Sequence, residues 1–166
     1  MKIRWIAALL ALSSLLLIPG CTSALNKPDE FITWVYTSDN GNLTDLYLGM
    51  TNDQMYGITG SPNNWTGIWP QFNAAGNSVS IKLDNHRDTL KSGINTNSNY
   101  ADILPAYAKD KSVVVELDTT EKVILSKMIN GAKYTVTFRN YPSSGDVKTI
   151  TITDTSQYTE NDADYQ

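Results

Sequence analysis

A chain of 166 residues with 17 acidic against 13 basic side chains carries a net charge of −4. No basic stripe offsets that balance, which excludes nucleic-acid binding by phosphate neutralisation and adhesion to anionic headgroups by charge. A single cysteine, Cys21, and a single histidine, His86, leave no internal disulfide and no Cys/His zinc site. Stability must therefore rest on packing, in one domain of ordinary size.

Lys2 and Arg4 precede an apolar run from Trp5 to Ile18 that ends in Pro19-Gly20-Cys21. A positive start, a short apolar middle and a small residue before a cut form the layout of a secretory signal. The run is shorter than the roughly 20 apolar residues that cross a bilayer. Ile18-Pro19-Gly20-Cys21 resembles the lipobox of bacterial lipoproteins, which usually has Leu and then Ala or Ser where Ile18 and Pro19 stand. The resemblance implies cleavage between Gly20 and Cys21, a diacylglycerol on the Cys21 thiol and acylation of the new amino group. Thr22, rather than Asp, follows the cysteine, so the resemblance also implies the outer membrane of a diderm cell. The domain would then face the periplasm or the cell surface. At about 0.8 kcal/mol per buried methylene, several acyl chains anchor a protein essentially permanently. The expected organisation is a signal peptide over 1–20, a lipidated tether over 21–30, one globular domain over 31–154 and an acidic, disordered tail over 155–166.

Within the domain, Phe31 to Tyr36 is β-rich and predicts a first strand. Asn40-Gly41 in the cluster that follows is a hairpin signal, with Leu46 to Met50 as the return strand. Gln54 to Ile81 contains no charged residue. Its glycines, prolines and tryptophans predict a short strand over Met55–Ile58 and a long loop over Thr59–Asn77. Val79 to Leu83 alternates with period two and predicts a strand. Tyr100 to Lys109 has a short helical face interrupted by Pro105. Ser112 to Leu117 is β-branched. Asp118, with Glu121 three residues on, reads as a helix cap; Val123, Ile124, Met128 and Ile129 follow at helical spacing, and Asn130-Gly131 ends that helix. Tyr134–Arg139 and Val147–Thr153 read as a hairpin around Pro142 to Gly145. Each of the two predicted helices is followed by a turn, a lysine and a strand, an echo too irregular for a true repeat.

Three clusters could carry chemistry. Asp84-Asn85-His86-Arg87-Asp88 is the densest polar segment, but no nucleophile or metal motif accompanies it, and a solvated loop is the plainer reading. Asp39 to Asn42 with Asp45 lacks the ligand spacing of a calcium loop. The uncharged segment from Ser61 to Asn73 pairs aromatic faces with amides. Asn63, Asn64, Trp65, Trp69 and Gln71 are its candidate binding residues. That chemistry suits a protein hot spot or a neutral sugar, and equally a plug closing the end of the fold.

The expectation is a mainly β domain, a compact antiparallel β-sandwich with one or two short helices; one sheet with two helices is the alternative. The expected function is non-catalytic, with no cofactor, no metal and no catalytic residues. It is an outer-membrane lipoprotein binding another envelope protein as an assembly subunit, escort or inhibitor. A glycan- or peptidoglycan-binding module is the alternative.

Overall fold

A computed structural model describes residues 27–60, 66–140 and 144–158. The signal segment, Cys21, most of the tether, Asn63, Asn64, Trp65 and the tail beyond Tyr158 lie outside the described residues. No described helix is long and apolar enough to cross a membrane.

The chain enters through a 3-10 turn at Glu30–Ile32, started by the Asp29 carboxylate accepting from the Phe31 amide. Strands β1 (Thr33–Thr37) and β2 (Leu43–Tyr47) form a hairpin, followed by helix α1 (Asn52–Thr59). Strands β3 (Ile68–Phe72), β4 (Ser78–Leu83) and the two-residue β5 (Thr89–Leu90) come next. A 3-10 turn at Tyr100–Asp102 leads into helix α2 (Ile103–Tyr107). The chain closes with β6 (Val114–Asp118), β7 (Lys122–Ile129), β8 (Ala132–Asn140) and β9 (Val147–Asp154). The strands make two antiparallel sheets, β2-β1-β5 and β3-β4-β9-β8-β7-β6. The domain is mainly β and sandwich-like, with two sheets and two short helices among the described residues.

Alternation builds the core. Ile81 and Leu83, Ile150 and Ile152, Val136 and Phe138, and Val123 and Leu125 all point to one face of the large sheet and are buried. Trp34, Leu46 and Leu90 of the small sheet join the same cluster. Each such side chain contributes about 1.5–3 kcal/mol when removed from water. Tyr107 of α2 meets Phe31 and Phe138 edge-on, with ring centroids 6.0 and 6.1 Å away, and ties the entry turn to the large sheet. The opposite face of the large sheet carries hydroxyls. Ser80, Thr153 and Thr135 lie in one cross-strand row, and Lys82, Thr151 and Thr137 in the next.

Three sequence expectations are overturned. The predicted helix after Asp118 is strand β7. Its apolar residues fit a helical count, but Val123 and Leu125 also alternate, and strand pairing uses that alternation. Asn130-Gly131, expected to end a helix, is a two-residue hairpin turn with both residues at positive φ, 52° and 85°. It sets the register Ile129↔Ala132, as hairpin turns of this type do. The cap-like signal at Asp118 belongs to the β6–β7 turn, where Thr119 Oγ1 accepts from the Lys122 amide. With β7 a strand, the second half of the sequence echo disappears.

The predicted strand over Met55–Ile58 is helix α1. Its start is a reciprocal capping box: the Thr51 amide donates to Gln54 Oε1 at 2.8 Å, and the Gln54 amide to Thr51 Oγ1 at 3.3 Å. The long uncharged loop is interrupted by strand β3. Pro70 is compatible with β3 because that strand forms the sheet edge, where a missing N–H can face outward. Boundary shifts are smaller. The first strand begins at Thr33, and its return strand runs from Leu43 to Tyr47 instead of Leu46 to Met50.

Candidate binding site around Trp69

Strand β3 decides where the candidate residues sit. Its register with β4 sets Trp69 opposite Lys82 and Gln71 opposite Ser80, so Trp69 and Gln71 share the hydroxyl-bearing face while Ile68 enters the core. Trp69 is 42% exposed. It is nevertheless fixed. Its Nε1–H donates to Asp84 Oδ2 at 2.6 Å, and Lys82 Nζ lies 5.5 Å from the ring centroid, a cation–π contact.

The β3–β4 pairing also brings together two segments that look separate in the sequence. The Asp84 amide donates to the Gly67 carbonyl at 3.1 Å. Asn85 Nδ2 donates to the Thr66 carbonyl and, at 2.7 Å, to Asp88 Oδ2. Asn85 Oδ1 accepts from the amides of Arg87 and Asp88 at 2.7 and 3.1 Å. Both amide protons and both lone pairs of Asn85 are thereby used. The polar segment from Asp84 to Asp88 is thus the buttress of the β3 entry.

Beside this buttress lies an open cleft of about 560 Å³. One wall is Tyr36, Ser38, Asp39 and Asn40, from the end of β1 and its turn; the other is Thr59 of α1 with Thr66, Gly67, Asn85 and Arg87. Arg87 Nη1 donates to Asp39 Oδ1 across it. The Tyr36 hydroxyl is pushed up, first by burial and then by the charges of Asp39 and Asp88.

Asp88 is the unusual residue. It is fully buried, and its Oδ1 has no hydrogen-bond partner among the described residues. It stands one residue before the Thr89↔Val35 pair, close enough to Tyr36 for its charge to act on that hydroxyl. Burial raises its carboxyl to about 7, and the Asp84 charge adds to that; the Asn85 hydrogen bond and the Arg87 charge act in the opposite direction.

Of the sequence-predicted residues, Trp69 and Gln71 are placed on one face, and Asn63, Asn64 and Trp65 fall outside the described residues. The sequence reading missed Asp84 and Asn85 as partners of the tryptophan segment. The signal that could have found them was the alternation of Ile68 to Phe72, obscured by Pro70. Among the described residues, no three His, Cys, Asp or Glu side chains come close enough to hold a metal ion. No protein-family model matches the chain, and neither a curated protein nor a solved structure matches it.

Proposed function

We propose that this chain is a lipoprotein, anchored through Cys21 in the outer membrane, whose folded domain binds another protein of the cell envelope without catalysis. The observation that carries the reading is Trp69, an exposed aromatic ring held in one orientation by Asp84 and Lys82 on an edge strand. A ring already immobilised before binding loses little freedom on contact, and tryptophan is among the residues that dominate protein interfaces.

Two results are expected. Mass spectrometry of the membrane-bound protein finds a mature chain beginning at acylated Cys21; an intact Met1 or a free Cys21 thiol contradicts the anchor. Trp69→Ala, compared with wild type after cross-linking in the native membrane, loses a partner that wild type retains. An interface tryptophan is worth about 2 kcal/mol or more, roughly a thirtyfold change in affinity. The midpoint of chemical unfolding should move little, since much of the ring is already in water. A variant that unfolds at low denaturant would make Trp69 a structural residue and remove the proposed site.

The cleft supports a second reading, a module for a neutral glycan. It is lined by the Asn40 amide and the Ser38 hydroxyl, a short distance along the chain from an exposed ring. Titration with peptidoglycan fragments separates the two: binding abolished by Asn40→Ala but retained by Trp69→Ala places the ligand in the cleft.

A further inference from the structure

The two edges of the large sheet differ. The β3 edge carries Pro70, and its pairing shifts register between Gln71 and Phe72. Proline lacks the N–H that a further strand would pair with, and so discourages addition there. At the opposite edge, β6 also shifts register, between Val115 and Leu117, but it has no proline, and every residue from Val114 to Asp118 is exposed. Val114 is 54% exposed and Val115 51%, with Leu117 beside them and Met128 next door on β7. An aliphatic, β-branched edge with unpaired main-chain groups is a template for another strand.

Charge selects the occupant. The β6 segment is preceded by Lys109 and Lys111 and ends at Asp118, with Glu121 and Lys122 beyond it; the charges flanking the strand itself are Lys111 at one end and Asp118 at the other. Asp110, at the basic end, is already held by Lys127 at 2.9 Å. Glu116, at the centre, is turned back onto its own sheet by Lys133 at 2.8 Å and Ser126 Oγ at 2.6 Å. An antiparallel copy of the same strand would place the basic end of each chain against the acidic end of the other, twice, around a centre of valines. A parallel copy would set like charges side by side. A strand this short buries less than the roughly 1,200 Å² of a standard stable interface, so the pair would be weak and reversible.

We propose that β6 is a self-association edge, where a second copy of this chain adds antiparallel about a two-fold axis and joins the two large sheets into one. The Trp69 surface, at the far edge, stays free in such a pair. The inference is independent of the function proposed for Trp69.

The test uses complementary charge reversal in the full chain, with two differently tagged copies co-expressed, solubilised in mild detergent and captured through one tag. Wild type captures wild type. Lys111→Glu alone and Asp118→Lys alone each lower self-capture by about tenfold or more, because each sets like charges together twice. Co-expression of the two variants restores capture to near the wild-type level, since each reversed end then meets an opposite charge. That reciprocal rescue requires Lys111 of one copy to meet Asp118 of the other, and a capture that stops at dimers in sedimentation separates the two-fold pair from a head-to-tail chain. Circular dichroism melts of the exposed variants should match wild type. Wild type that does not capture itself, variants that self-capture like wild type, or a variant mixture that stays apart would each overturn the proposal.

Discussion

Wild-type protein is expected to lose about 2–3 kcal/mol of stability between pH 5 and pH 8, and Asp88→Asn to lose far less over the same range. The Asp88 carboxyl titrates near 7 when folded, against about 3.9 in an unfolded chain. Between those values the folded state holds a proton that the unfolded state has released. Stability therefore falls as pH rises through that window, by about 1.4 kcal/mol per unit, and levels off above the folded value. Asparagine keeps the shape and can still accept from Asn85, but it carries no charge to bury. Its amide nitrogen takes the place of the unpartnered Oδ1, where neither proton meets an acceptor, so the variant need not be more stable at pH 5; the difference in slope is the decisive quantity. Urea unfolding at several pH values measures it, and equal slopes for the two proteins would mean that Asp88 is not the titrating group. The acid side has the opposite sign. Asp110, hydrogen-bonded by Ser112 and Lys127, is held down to about 2, and Glu116, hydrogen-bonded by Lys133 and Ser126, is also lowered. Their contribution is present above the unfolded carboxylate values and is lost as pH falls through the folded ones. The stability optimum should accordingly lie on the mildly acidic side of neutral.

Gly67→Ala is expected to cost about 3 kcal/mol, roughly 12 °C in melting temperature. Gly67 has φ of 75°, a left-handed backbone that penalises any side chain. A Cβ there would also stand 2.5 Å from Asn85 Nδ2, 2.8 Å from Asn85 Cβ and 2.8 Å from Asp84 Oδ1. Asn85 cannot swing aside without giving up its bonds to Thr66 and Asp88. Gly131→Ala is the control. It has a similar φ of 85° but nothing within 4 Å of the added carbon, so it should cost only about 1 kcal/mol. Equal losses in the two variants would show that the close packing of Gly67 on Asn85 has no energetic weight. A larger loss at Gly67 with a smaller pH slope would show that Asp88 depends on the same contacts.

The strands that could be read from the sequence are those with one buried face and one polar face. Val79–Leu83, Tyr134–Phe138 and the Ile150/Ile152 pair alternate cleanly because their outward positions are serine, threonine or lysine. Strand β7 was misread because Val123-Ile124-Leu125 is apolar on consecutive positions, which satisfies both a helical and a β count. The decision lay in Asn130-Gly131, a turn signal that serves a hairpin as readily as a helix end. Helix α1 was missed because its face is weak, with Met55 its one buried residue. Its capping pair, Thr51 and Gln54, was the better signal. For the site, tryptophans and amides marked the right neighbourhood. Their neighbours could not be read, because the Trp69–Asp84 bond depends on a strand register that proline and glycine disguise.

The place of β9 in the large sheet has a consequence for the order in which the molecule can assemble. The last of the described strands, it lies between β4 and β8. Its bond to β4 through Ser80 and Thr153 spans 73 positions of chain, whereas its pairing with β8 and that of β7 with β8 are local hairpins. Local pairs close quickly and distant ones slowly. The β6–β9 meander can therefore form by itself, while the β3–β4 hairpin must wait, with one edge open, for β9 to emerge. During synthesis Trp69 is made early but acquires its final setting only when the sheet is sealed around β9. A chain cut short before Val147 would leave both β4 and β8 as bare edges open to pairing with other chains.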